Sequence, residues 1–266
     1  VQTMPLESLR PLTDKTLSFG LLNDVEQWTL LDPVYKAYTK DLCGYAERGE
    51  KEWKRLLGSF FAEGVNIAVV KNDEGQIEGY AVYRLGAPEI PVTEFVYTTR
   101  RAQRGLLNYF YNHRSQGESI RWNEGLHDTG YRFVPDGKTG HTTMPYMMAR
   151  IVDVETALTT VPVNPEAVMM PITLNIKVTD TLCDWNNGVF ALTLGESTLP
   201  NVKRVSAESV DEIDITIDIG GLTVLLMGAV SAKDLVFEGK LQGESHWIDY
   251  LDMVYPKENT YINEWW

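Results

Sequence analysis

The segment Met147 to Leu158, MMARIVDVETAL, limits what this chain can fold into more than any other feature. An apolar, β-rich run passes through Arg150-Ile151-Val152-Asp153 into a short helix, and charge and residue usage change across it. Residues 1 to 150 hold 18 basic against 19 acidic side chains, whereas residues 151 to 266 hold 6 against 18. The formal charge of −13 therefore sits almost wholly in the second part. A chain of 266 residues, 44% of them hydrophobic, suits two domains of ordinary size, and the break places them at 1–150 and 151–266.

An acidic second half repels nucleic acid and anionic membrane surfaces, and it concentrates polycationic ligands. No apolar run approaches the 18 or so residues that cross a bilayer, and the N-terminus lacks the basic and apolar regions of a secretion signal. Cys43 and Cys183 fall on opposite sides of the break and suit reduced thiols in a cytoplasmic protein. His113, His127, His141 and His246 show no metal-ligand spacing. Val1 to Asp14, with two prolines, reads as a linker, extended here to residue 18.

Along the first part, Asp32-Pro33 resembles a helix start, and Trp53, Leu56, Leu57 and Phe60 form one apolar stripe of a second helix over 50 to 61. Val65 to Lys71 and Ile77 to Leu85 flank a turn closed by Gly75, which predicts a hairpin. A strand over 90 to 98 feeds a helix over 100 to 113, and 119 to 122 and 144 to 153 read as further strands. In the second part, a short helix over 154 to 158 precedes four strands, at 171 to 180, 188 to 194, 202 to 207 and 212 to 217. They suggest an antiparallel sheet covered by helices at 222 to 230 and around Trp247, Leu251 and Val254. Predicted strands and helices are segregated rather than alternating, so the class is α+β.

A strand leading into the basic turn Thr98 to Leu107 could place helix N–H groups against a pyrophosphate. Acetyltransferases of the Gcn5-related (GNAT) superfamily hold coenzyme A in this way, on a loop of the form Gln/Arg-x-x-Gly-x-Gly/Ala. Around Gly105 the matching positions are Ala102 and Leu107, which lack the polar and the small residue, so the stretch reads as an amphipathic helix with a solvated arginine face.

The segment 147 to 158 is similar to the interdomain segment of the enhanced-intracellular-survival type N-acetyltransferases. Tyr35-x-x-Tyr38 with Trp53, Gly79-Tyr80-x-x-Tyr83-Arg84 and Ile120-x-Trp122 resemble their second domain, a degenerate acetyltransferase-like fold. Asp180 with Asn187-Gly188-x-Phe190, Leu222-x-x-Leu225-x-x-Gly228 and the ending Asn263-x-Trp265-Trp266 resemble their third, a sterol-carrier-protein-like domain. The resemblance implies that this chain is the C-terminal two thirds of such an enzyme, with the acetyl-CoA site in a missing N-terminal catalytic domain. It implies an amine substrate (aminoglycoside, polyamine or lysine-like), a homo-oligomer, often a hexamer, and a general base that is the α-carboxylate of Trp266. Glu264, Asp249 and Asp252 are acidic residues near the end that could attract a cationic substrate, the latter two reading also as a solvated helix face. A second reading, a lipid-binding or regulatory sterol-carrier-like module without catalysis, rests on the apolar run 222 to 230.

Overall fold

A computed structural model describes residues 1–86, 88–128, 139–144, 147–195 and 197–264. The chain divides into two compact units, Met147–Thr260 and the remainder, which takes in the chain from Val1 through Tyr146 and again from Tyr261.

The first unit is built on a seven-stranded sheet. Its strands are β1 (Gln2–Pro5), β2 (Ser18–Leu22), β3 (Asn66–Lys71), β4 (Ile77–Tyr83), β5 (Glu89–Tyr97), β6 (Ser119–Trp122) and β7 (Gly140–His141), in the order β2-β3-β4-β5-β6-β1-β7. All pairs are antiparallel except β5 with β6. Helices α1 (Trp28–Thr39) and α2 (Glu50–Ala62) supply one apolar layer, and α3 (Arg100–Tyr111) with a 3-10 turn over Leu6–Leu12 supplies the other. The period-two geometry of a strand sorts the core: Ile67, Val69, Tyr80 and Val82 join Leu31, Val34, Trp53 and Leu57, whereas Ala68, Val70, Ala81 and Tyr83 join Leu6, Leu9, Leu106 and Phe110. A sheet covered on both faces explains why 67 to 70 is a continuous apolar run.

In β5 this alternation breaks, with consequences for the site. Tyr83 pairs with Val92 but Val82 pairs with Glu94, so Thr93 is the extra residue of a β-bulge. Ile90, Val92 and Phe95 therefore face the α3 layer, while Val96 faces α1 and α2. A one-residue shift flips every later side chain to the opposite face. Pairing with β6 stops at Val92, and among the described residues no strand pairs with the following residues of β5 on that side.

Three expectations are corrected here. Val1 to residue 18 is no linker: β1 lies inside the sheet between β6 and β7, and Met4, Leu6 and Leu9 are core residues, so the prolines only punctuate short elements. The first helix starts at Trp28 rather than Pro33, because a turn capped by Asp24 and Gln27 launches it; Asp32 instead accepts the Trp53 indole N–H at 3.0 Å. Residues 147 to 153 form no strand and lead to Asp153, whose side chain caps α4 (Val154–Thr160).

The second unit has the sheet order β10-β9-β8-β11-β12, from β8 (Ile172–Thr179), β9 (Gly188–Leu194), β10 (Asn201–Val205), β11 (Ile215–Asp218) and β12 (Leu241–Gly243). The sheet is mixed, since β8 and β11 run parallel. Helices α5 (Ile219–Leu226), α6 (Ala232–Phe237) and α7 (Ser245–Val254) contribute Leu222, Leu225, Leu235, Ile248 and Leu251 to one core with Leu174, Ile176 and Phe190. Leu222 and Leu225 are thus packing residues. No helix among the described residues is long and apolar enough to cross a membrane.

Asp180 ties the entry of this unit to its sheet. Its buried carboxylate takes both oxygens to Arg150 (2.6 and 2.7 Å) and accepts from Asn186 Nδ2 and the Leu182 and Cys183 amides. Burial opposes its charge, but the hydrogen bonds from Asn186, Leu182, Cys183 and Arg150 outweigh it and hold the carboxyl well below the usual range. Replacing Asp180 by Ala strands these donors, so the second unit should lose stability at pH 7. Urea titration followed by exchange protection of the β8 and β9 amides measures this, and a loss below about 0.5 kcal/mol, the ordinary effect of a surface substitution, contradicts it. Since the native pKa is depressed, the charge-dependent contribution is full above the unfolded value of 3.8 and fades as pH falls through the lower native one, so the gap between variant and wild type narrows there.

Candidate functional site

After Thr260 the chain returns to the first unit and is held there residue by residue. The Tyr261 amide donates to the Cys43 carbonyl at 2.8 Å, and its buried ring meets Tyr38 edge-on at 5.4 Å. The Asn263 side-chain amide donates to the Thr93 carbonyl, on the bulge where pairing with β6 has ended. Glu264 reaches Arg48, whose Nε donates to its Oε1 at 2.7 Å.

Arg48 is itself part of a buried cluster. Its guanidinium grips Glu94 with two donors, at 2.6 and 3.2 Å, and both side chains are only 3% exposed. Tyr80 donates to the same Glu94 carboxylate at 2.8 Å. The Tyr35 and Trp53 rings lie 4.2 and 4.7 Å from the guanidinium carbon, so the cation has π-faces where water would otherwise stand. A planar fork with five donors can serve two carboxylates at once, which a lysine ammonium cannot do with this geometry. Burial disfavours the charge on Arg48, yet the adjoining Glu94 carboxylate reverses that effect and keeps it ionised. Glu94 reaches Arg48 only because the Thr93 bulge turns it toward α1 and α2.

A second group of ionisable residues gathers near the ends of β5 and β6. Tyr97 donates to the buried Asp128, which also accepts from Gln103 Nε2 at 3.3 Å. Glu124 Oε2 accepts the Trp122 indole N–H at 3.0 Å, while its Oε1 has no hydrogen bond and faces His141 Nδ1 at 3.7 Å. The Tyr38 ring connects this group to the tail, contacting Tyr97 at 5.5 Å and Tyr261 at 5.4 Å. Burial, then the neighbouring Asp128 charge, pushes the Glu124 carboxyl up to about 7. Burial pushes the His127 imidazole down.

The turn before α3 does not fit a pyrophosphate. Thr99 caps the helix by accepting from the Ala102 amide at 3.0 Å, and Glu78 stands beside it, bonded to Thr98 and Thr99. A carboxylate at that place repels phosphate. Gly105 lies inside α3, where a Cβ would come within 2.8 Å of Leu17, so its missing side chain serves packing. The other acidic residues near the end are engaged as well: Asp249 pairs with Lys233 at 2.7 Å, and Asp252 accepts the Ala232 amide at the start of α6. Trp265 and Trp266 lie outside the described residues. Arg48 and Glu94 escaped the sequence reading, although one acid inside the apolar strand 90 to 97 signals a buried cation waiting for it.

The raised Glu124 carboxyl gives a measurable consequence. The unfolded group loses its proton near 4.5 and the native one near 7, so native stability falls between these pH values and levels off above them. Glu124→Gln should therefore stabilise the protein by about 2 to 3 kcal/mol at pH 8 and leave it unchanged at pH 4. Urea melts at the two pH values decide this, and an equal effect at both contradicts it.

Comparison with known proteins follows the two units. Residues 44–151 match the family model of the acetyltransferase (GNAT) domain, and residues 154–263 match that of the sterol carrier protein domain. None of the curated proteins matches the chain in sequence. Among solved structures, the whole chain superposes on a probable N-acyltransferase from Enterococcus faecalis with TM-score 0.86 at 23% identity, covering 66% of that protein. A GCN5-related N-acetyltransferase from Anabaena variabilis gives 0.81 at 17% identity, also with 66% covered, and Eis1 from Mycobacterium abscessus gives 0.66 at 20%, with 67% covered. At these identities the likeness is one of fold, and the chain spans just under two thirds of the first structures it matches. The chain thus matches an acetyltransferase (GNAT) domain followed by a sterol carrier protein domain, and it shares its fold with Eis1 and the other N-acetyltransferases named.

Proposed function

We propose that this chain forms the C-terminal part of a cytoplasmic, acetyl-CoA-dependent N-acetyltransferase for small amines of the aminoglycoside, polyamine or lysine-like class. In this reading 1–150 is a degenerate acetyltransferase-like domain, 151–266 is a sterol-carrier-like domain, and both scaffold a homo-oligomer such as a hexamer. Acetyl-CoA is held by a catalytic domain ahead of Val1, and the chain itself contributes the α-carboxylate of Trp266 as general base. The observation that carries the reading is the clamp on the tail at Asn263 and Glu264, two residues before that carboxylate.

An ammonium has no lone pair, so the substrate amine must lose a proton before it can accept an acyl group. A free α-carboxyl titrates near 3.3 to 3.7 and is a feeble base in water. It gains basicity when water is kept away from it, and two terminal tryptophans are suited to that. Glu264 is committed to Arg48, Asp249 to Lys233 and Asp252 to the α6 amide, so the reading gives none of these three the role of base.

Two measurements test this. Calorimetry of this chain with acetyl-CoA should show no saturable heat up to millimolar ligand, and micromolar binding would place the coenzyme site in the first unit instead. In the protein that includes the preceding domain, one glycine appended after Trp266 should lower kcat by a factor of about 100 or more, the scale of losing a general base. Turnover at the unmodified rate would rule the carboxylate out.

A further inference from the structure

We infer that Arg48 of the first unit is a positioning residue for the terminal carboxylate, acting through Glu264. The inference rests on the reading of Trp266 as the base, and adds to it which side chain fixes where that base can be. Two residues of extended chain span about 7 Å, so an anchored Glu264 confines the α-carboxylate to a sphere of that radius. Without the anchor the free tail lengthens by one residue, back to Asn263, and the volume within its reach grows about threefold, while a base displaced by even 1 Å from its near-attack position costs rate steeply.

The geometry favours a dedicated anchor over an incidental surface pair. Glu94 already balances the Arg48 charge and takes two of its donors, yet Nε and Nη2, the latter shared with Glu94, also face Glu264 at 2.7 and 2.6 Å. The guanidinium is fixed on its other sides by the Tyr35 and Trp53 rings and cannot follow a moving partner. The Glu264 side chain is only 11% exposed, so the pair is little screened by water. Asn263 adds a second fixed point one residue earlier on the Thr93 carbonyl, and two consecutive anchors set direction as well as position. Replacing Arg48 itself would leave Glu94 buried without a cation and endanger folding. Glu264 is the cleaner position, because its removal leaves the Arg48–Glu94–Tyr80 cluster whole.

The test has two arms. In this chain, Glu264→Ala should speed amide exchange at residues 263 and 264 at least tenfold, with thermal midpoints within about 3 °C, since the cluster beneath is retained. In the protein with the preceding domain, Glu264→Ala should lower kcat at least tenfold with the KM for acetyl-CoA unchanged, and Glu264→Gln, which can still accept from Arg48, should recover most of it. A purely structural role would move the thermal midpoint and leave kcat alone. Unchanged exchange or unchanged kcat in Glu264→Ala overturns the inference. If the appended glycine abolishes turnover while Glu264→Ala does not, the base stands and the anchor falls; if the appended glycine is harmless, both fall.

Discussion

One buried ion pair organises the seat of Asn263 and Glu264 on the first unit. A carboxylate on the inner face of a sheet strand is tolerable only with a cation and further donors around it. Glu94 has Arg48 and the Tyr80 hydroxyl. Its orientation depends on the single extra residue at Thr93, which carries the strand's later side chains to the opposite face and also turns a carbonyl toward Asn263. Local backbone irregularity, the buried pair and the seat of the tail are therefore one feature seen at three scales. Shifting the register of β5 by one residue would put Glu94 into the α3 layer and dissolve all three.

Among the described residues, β5 and β6 open from each other after Val92, where their parallel pairing ends. In this chain the space near that opening is furnished by the protein's own groups: Tyr97 with Asp128, Gln103 with Asp128, and the Asn263 contact to Thr93. At the start of α3, the Thr99 hydroxyl likewise caps the Ala102 amide and donates to the Glu78 carboxylate.

Much of the fold was legible from the sequence, because strong patterns agreed with their surroundings. The Gly75 hairpin, the stripe through Trp53 and Leu57, the helix after Thr99 and the short helix behind Asp153 each combine periodicity with a cap or turn residue. The failures have physical causes. Gln2 to Pro5 is too short to show alternation, and its place inside the sheet is decided by partners more than a hundred residues away. Apolar residues at 147 to 151 mimic a strand but have no ladder partner among the described residues. Pro33 looked like a helix start because prolines favour first turns, while the capped turn at Asp24 to Gln27 set the true one. The bulge at Thr93 follows from cross-strand register, which no local pattern encodes, so the Arg48 seat could be anticipated only from the oddity of Glu94 in an apolar strand.

The central claim is that Arg48 holds Glu264 and Glu94 at once in solution. The most direct measurement is the NMR signal of the Arg48 Nε–H group in this chain near neutral pH. The account predicts a resolved, slowly exchanging resonance with cross-relaxation to the side-chain protons of Glu264. Exchange as fast as that of a free arginine, or contacts to Glu94 with none to Glu264, would contradict it.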